Sequence, residues 1–243
     1  MTNSSGKLKQ MIDEASTIVF FGGAGVSTAS GIPDFRGTYG LFQQKRGISY
    51  EEMLSREHFK ENPEDFYSFY TQGMLYPEAE PNGAHKAVAE LEHRGKLAAV
   101  ITQNIDGLHT IAGNTNVIEL HGSALKNHCL KCGASYGVEK ILEASGKVPY
   151  CNCGGIIKPD VVLYNESLDS YAIEKAIKHI SSCDLLIVAG TSLVVYPAAG
   201  FVKYARGNIV LLNRDATAYD SYADLVIHED LEKVLYEAVF NEN

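Results

Sequence analysis

Two stretches of this chain gather glycines, hydroxyls, amides and carboxylates at spacings that suit chemistry on a phosphate-bearing ligand. The first is Gly22-Gly23-Ala24-Gly25-Val26-Ser27-Thr28-Ala29-Ser30-Gly31-Ile32-Pro33-Asp34-Phe35-Arg36-Gly37, directly after the apolar run Ile18-Val19-Phe20-Phe21. Glycines permit positive φ and close backbone approach to a pyrophosphate, while Ser27, Thr28 and Ser30 add hydroxyl donors. A plain dinucleotide loop would stop there. This one continues into Asp34, Phe35 and Arg36, which suggests a site that acts on its ligand as well as holding it. By itself Gly23-x-Gly25 is half a dinucleotide fingerprint, since Thr28 stands where the third glycine belongs, and a bare G-x-G also fits a tight turn.

The second stretch, Gln103-Asn104-Ile105-Asp106-Gly107-Leu108-His109, follows an apolar run ending at Thr102. Amides and a carboxylate at the carboxyl end of a parallel strand lie where open α/β sheets bind ligands. They equally suit an Asx-capped helix start, with Asn104 or Asp106 as the cap. His121, in Leu120-His121-Gly122-Ser123, has a side chain able to serve as a general base near neutral pH, although a lone histidine is commonly a packing residue. Thr191 and Ser192, and further on Asn213, end two other apolar runs and could bond ribose or phosphate, or simply make turns. Pro159 to Glu166 reads as a strand whose exposed edge could pair with an extended peptide, or as an ordinary buried strand.

Cys129-x-x-Cys132 and Cys151-x-Cys153 are two close pairs eighteen residues apart. Without an evident secretory leader, disulfides are not expected, and two thiolate pairs on short turns suit one tetrahedral zinc ion. Four protein ligands leave no open coordination position, so this zinc is structural. His128 adjoins the first pair, but four sulfurs already fill the shell. Gly154-Gly155 would ease the tight second turn. Cys183 opens a strand and reads as a buried thiol.

The elements that must position these groups alternate. Apolar runs at Thr17–Phe21, Ala98–Thr102, Val117–Leu120, Asp184–Ala189, Ile209–Leu212 and Leu225–Ile227 read as strands. Helical spacing marks Lys7–Ala15, Tyr50–Leu54, Pro63–Leu75, Ala84–Glu92, Tyr171–Ile180 and Leu231–Phe240. This alternation predicts an α/β fold with a Rossmann-like, doubly wound parallel sheet. Residues 37–76 and 124–158 break it. They are expected to form a smaller module of a helical insert and a zinc ribbon, leaving 1–36, 77–123 and 159–243 as the sheet domain. Most aromatics of Phe66 to Tyr76 are expected to pack a core.

The 243 residues suffice for one large domain or a domain with an insert, and 45% apolar with 21% charged residues is globular composition. No apolar run approaches a membrane span, and a net charge of −9 disfavours nucleic acid and anionic lipid as partners. The expected location is cytoplasmic.

The sixteen residues from Gly22 resemble the GAGxSxxSGIPDFR signature of the sirtuins, NAD-dependent protein deacylases. Gln103 to His109 resembles their QNIDxLH motif, and His121-Gly122 resembles their catalytic histidine, in the family's order ahead of the first cysteine pair. The resemblance covers nearly the whole chain. It implies NAD bound by Gly23, Ala24, Gly25, Thr28, Phe35, Arg36, Gln103, Ile105, Asp106, Thr191, Ser192 and Asn213, with Asp230 reaching the adenine end. His121, Asn104 and Asp34 would be catalytic. An acyl-lysine peptide would bind as an extended strand along Val161, Leu163, Tyr164, Asn165 and Glu166. Tyr164 and Asn165 replace the family's phenylalanine and glycine, and asparagine tolerates left-handed backbone, so the turn there is expected to persist.

Desuccinylating sirtuins carry a Tyr-x-x-Arg pair. The counterpart here is Tyr67-Ser68-Phe69-Tyr70, so neutral acyl groups are expected, acetyl foremost. The implied reaction is protein-lysine deacetylation that consumes NAD, with nicotinamide expelled, the acetyl group transferred to ADP-ribose and free lysine released. Two alternatives stay open: transfer of ADP-ribose to protein, and a non-catalytic NAD-sensing module that would not need His121.

Overall fold

Strands covered on both faces need apolar side chains at every position, and β1 (Ile18–Gly22) and β7 (Leu185–Ala189) are buried throughout. The computed structural model describes residues 3–35 and 47–241. Its main sheet runs β3 (Val117–Glu119), β2 (Leu97–Thr102), β1, β7, β8 (Asn208–Leu212), β9 (Leu225–Ile227), with every neighbouring pair parallel. Counted within the sheet this is the order 3-2-1-4-5-6, the doubly wound arrangement the sequence predicts. Strand order reverses between β1 and β7, which opens a crevice at their carboxyl ends.

Period-two alternation splits each strand between two cores. Ile18 and Phe20 pack with α1 (Asn3–Glu14), α5 (Gly83–His93) and α9 (Leu231–Phe240). Val19 and Phe21 pack on the other face with α8 (Ser170–Ser182) and the 3₁₀ segment Ala198–Tyr204. Thr17 and Asp184, expected inside strands, lie just before them. The Asp184 carboxylate accepts the Ser16 and Thr17 amides at 2.9 Å each, which ends the ladder one residue early.

A second, antiparallel sheet has the order β5 (Ser135–Gly137), β4 (Gly122–Cys129), β6 (Ile157–Val161). It shares one core with α2 (Tyr50–Met53), α3 (Arg56–Glu61) and α4 (Pro63–Gly73). Phe66 stacks on Tyr70 with ring centroids 5.5 Å apart, Phe59 meets Phe66 edge-on, and the Tyr67 hydroxyl donates to the Ile157 carbonyl at 2.5 Å. The aromatic set is therefore packing, as expected, and it joins the helical insert to the ribbon. The division points read from the sequence at 123/124 and 158/159 fall within β4 and β6.

The sequence reading missed α3, α7 (Glu139–Glu143) and the ribbon strands β4 and β5, and it reached α6 (Leu108–Ile111) only as a capped helix start. Each helix has four to six residues, too few for a 3.6-residue period to show. The expected single strand from Pro159 to Glu166 is corrected too. Strand pairing ends at Val161, and the Glu166 carboxylate accepts the Leu163 amide at 2.9 Å, turning the chain at Asn165, whose φ is +67°. No helix among the described residues is long and apolar enough to cross a membrane.

Candidate active site

The glycines of the first loop are dictated first by a crossing of two backbones. Gly23 N–H donates to the Ala189 carbonyl at 3.0 Å and Gly25 N–H to that of Gly190 at 2.8 Å. A Cβ on Gly23 would lie 2.7 Å from Thr191 Cβ, and one on Gly25 2.8 Å from Gly190 Cα. The loops after β1 and β7 thus meet with no space for side chains at Gly23 and Gly25. From the other side Asn82, the cap of α5, donates to Val26 O at 2.8 Å and Ser30 Oγ at 3.0 Å.

The loop after β2 is tied to the glycine loop by side chains. Ser27 Oγ donates to Asp106 Oδ2 at 2.6 Å, and Asn104 Nδ2 donates to Ser27 Oγ at 3.0 Å. Asp106 Oδ1 accepts the Leu108 amide at 2.9 Å, an Asx turn just ahead of α6, whose N-cap is Gly107 and not the Asn104 or Asp106 expected from sequence. Gln103 Nε2 donates to Thr191 Oγ1 at 3.0 Å. These contacts bring Gln103, Asn104, Asp106 and Thr191 to one wall.

His121 stands where the two sheets meet, after β3 and directly before β4. Its Nδ1 lies 2.9 Å from the Gln103 carbonyl. A carbonyl only accepts, so Nδ1 carries the hydrogen and Nε2 presents a lone pair. Burial pushes the imidazole below its ordinary range, with the Gln103 carbonyl working the other way, so the ring is neutral at pH 7. Gly122 must follow it: φ is +75°, and a Cβ would lie 1.9 Å from the Asp160 carbonyl oxygen.

All of this opens on one cavity of about 660 Å³ between the parallel sheet and the ribbon module. Its wall takes in Gly23, Ala24, Gly25, Asp34, Phe35, Gln103, Asn104, Ile105, Asp106, His121, Thr191, Ser192 and Asn213. Val161, Leu163, Tyr164, Asn165 and Glu166 line it from the ribbon side. Tyr164 is not a free edge, because its amide donates to Leu54 O and its carbonyl accepts from Arg56 N, both at 3.0 Å. Two expected cofactor residues fall elsewhere. Thr28 is exposed and donates back to Gly25 O at 3.0 Å, and exposed Asp230 caps α9 by accepting Lys233 N at 3.0 Å. Arg36 lies outside the described residues.

Reasoning from sequence named Ser27 only as a hydroxyl donor of the loop, gave Asn82 no role and read His85 as a surface or packing residue. The signal for the last two was present, since Asn82-x-x-His85 has capping-box spacing with histidine in the glutamate position. His85 and His109 are both buried with ring centroids 4.8 Å apart, and His109 lies edge-on to Phe20. Burial pushes their pKa values from an ordinary 6.5 to about 4 and about 3, respectively.

In the ribbon, the sulfurs of Cys129, Cys132, Cys151 and Cys153 all lie within 4.8 Å of one another. The Cys129–Cys153 and Cys132–Cys151 separations are 3.5 and 3.6 Å, close to the roughly 3.8 Å edge of a tetrahedron with about 2.3 Å Zn–S bonds. The Lys131 amide and the Tyr136 hydroxyl donate to Cys129 and Cys151 sulfur at 3.4 and 3.0 Å, as suits thiolates. The tight second pair is accommodated by Gly154 at φ +80° and by Gly155, where a Cβ would lie 2.6 Å from Cys129 sulfur. The donor set fits one structural zinc ion.

A doubly wound parallel sheet with a glycine loop at its switch point, facing a tetracysteine ribbon across a cleft, defines a dinucleotide-binding protein with a zinc-ribbon insert. The Sir2 family model matches residues 23–197, and the chain belongs to that family. It is 54% identical over 233 residues to the NAD-dependent protein deacetylase of Clostridium acetobutylicum, covering 94% of this chain and 95% of that one. The Clostridium perfringens protein of the same name is 54% identical over 240 residues, covering 97% and 98%. A structure of Sir2 with p53 peptide and NAD⁺ superposes with a TM-score of 0.83 at 39% identity, over 94% of both chains. A histidine-to-alanine Sir2 variant with deacetylated p53 peptide and 3′-O-acetyl ADP ribose gives a TM-score of 0.87 at 37% identity, over 96% of both.

Proposed function

We propose that this protein is an NAD-dependent protein-lysine deacetylase that releases nicotinamide and, consuming one water, yields O-acetyl-ADP-ribose and free lysine. The observation that carries this reading is His121, whose unprotonated Nε2 belongs to a ring oriented by the Gln103 carbonyl in the wall of the shared cavity. A module that merely bound NAD would have no need of an oriented base.

NAD, as co-substrate, supplies an activated ribose carbon on loss of nicotinamide and the ADP-ribose that accepts the acetyl group. The chain's residues do the rest. The glycine loop, Thr191, Ser192 and Asn213 hold the dinucleotide. Asp106, kept in place by Ser27 and by the Leu108 amide, lines the nicotinamide end with Ile105 and Phe35. Asn104 has one amide hydrogen committed to Ser27, and its carbonyl oxygen is available to orient a ribose hydroxyl or a water. His121 Nε2 accepts the proton of a ribose hydroxyl. Asp34 and the apolar wall exclude water while this occurs.

The acetyl-lysine peptide lies in the cleft, along the turn made by Val161 to Glu166. Among the described residues the cavity wall holds no lysine or arginine, and the Tyr67 hydroxyl is engaged by Ile157. An acidic acyl tail would therefore be buried without a cation, which favours neutral acyl groups. We also assign the protein to the cytoplasm, where unoxidised cysteine thiolates persist, and divide it into a sheet domain and a helical/ribbon module. The experiment is mass spectrometry of an acetyl-lysine peptide with NAD, beside His121→Ala. Deacetylated peptide with O-acetyl-ADP-ribose, absent in the variant, is expected; ADP-ribosylated protein with intact acetyl-peptide would overturn the assignment in favour of a transferase.

A further inference from the structure

At the adenosine end of the cavity the wall is formed by the segment that leaves β8, namely Asn213, Asp215 and Ala216. An exposed loop at a strand end needs something to hold it in a wall. Asn213 N–H donates to Ile227 O at 3.1 Å, and its Nδ2 donates to Asp215 O at 2.7 Å, leaving the amide oxygen to accept from a ribose hydroxyl. Its own carbonyl is taken by a residue from another strand end. His228, just past β9, places Nδ1 2.7 Å from Asn213 O and Nε2 3.0 Å from Asp220 Oδ2. Asp220 in turn accepts from Thr217 N at 3.0 Å and Thr217 Oγ1 at 2.7 Å. One imidazole thus bridges both ends of the segment 213–220. The Asn213 carbonyl is an obligate acceptor, so Nδ1 carries the hydrogen there.

We propose that His228 is a positioning residue for dinucleotide binding, a clasp that keeps Asn213 and the segment after it in the adenosine wall. The inference rests on the NAD-binding role proposed for the cavity. Among the described residues none of the clasp's hydrogen bonds reaches His121, the glycine loop or the peptide side, so its loss acts on nucleotide affinity.

The test is titration calorimetry of His228→Ala and His228→Gln with ADP-ribose, which binds without reacting, beside steady-state kinetics. His228→Ala should weaken ADP-ribose binding and raise the NAD KM about fivefold, the worth of one hydrogen bond, with kcat and the peptide KM held. His228→Gln keeps a donor for Asn213 O and should recover part of the loss. A purely structural role would instead lower the folded fraction in both variants and so lower apparent kcat with the NAD KM unchanged. Folded His228→Ala that binds ADP-ribose like the parent overturns the clasp and leaves the proposed function intact. Should His228→Ala not fold, Asp220→Asn removes the far half of the clasp and must show the same selective loss. A parent protein that binds neither ADP-ribose nor NAD overturns both readings.

Discussion

Ser27 and Asp106, seventy-nine positions apart, are joined by a hydrogen bond of 2.6 Å that ties the loop after β1 to the loop after β2. Asn104 adds its amide to the same hydroxyl. The glycine loop and the amide-rich loop are thereby one object. A change at Ser27 is felt by both.

Ser27→Ala leaves the half-buried Asp106 Oδ2 without its donor. Hydrogen bonds to charged groups contribute about 1.5–3 kcal/mol, so kcat/KM for NAD should fall by about ten- to a hundredfold. Steady-state kinetics against NAD checks this. An unchanged kcat/KM would show that the tie is not felt by the bound dinucleotide.

His121→Ala should lower kcat by about 10²–10⁴, the usual contribution of a positioned general base. The pH profile has a definite sign. Burial lowers the pKa of His121, and the neutral ring is the competent form. Activity should rise with pH through a midpoint below the ordinary 6.5 and stay level above it. An acidic limb centred above 6.5 would contradict the neutral, buried ring.

Removing zinc should cost structure before chemistry. Cys129 and Cys151 belong to the same core as Phe66, Tyr67 and Ile157, so a ribbon that opens exposes the helical insert as well. Cys151→Ser should release one equivalent of zinc, measured with a colorimetric chelator, and lower the melting temperature by several degrees. Retention of both metal and melting point would remove Cys151 from the ligand set.

His85 and His109 make an acid-stability prediction. Their folded pKa values, about 4 and about 3, lie below the ordinary 6.5. The unfolded chain therefore binds more protons throughout that interval, and stability falls as pH drops from 6.5 towards 4. At pH 5 each neutral ring should cost about 2 kcal/mol relative to pH 7. Denaturant titrations at the two pH values should show the loss, with His109→Gln reducing it. Equal stabilities would mean that both rings take up their protons in the folded protein as readily as in the unfolded chain.

Much of the site was legible as strings of residues, because a motif that crosses a strand end keeps its parts close in sequence. Gly23, Gly25, Gln103, Asn104, Asp106 and His121 all reach the cavity wall. Thr28 and Asp230 do not, because each side chain bonds local backbone, a choice made by loop geometry and helix capping rather than by residue type.

By itself the sequence determined the alternation of strands and helices, the parallel sheet and the two cysteine pairs that come together as one cluster, since buried strands demand apolar runs and paired thiols demand short turns. It could not show that Gly23 and Gly25 are needed against Gly190 and Thr191, that His228 spans from Asn213 to Asp220, or that Ser27 holds Asp106. Nor did it show that the edge expected from Pro159 to Glu166 turns after Val161. Those are contacts between segments far apart along the chain. Local propensity carries no information about them, and only the packing of strand ends against one another decided which polar groups were spent on the fold and which were left for the ligand.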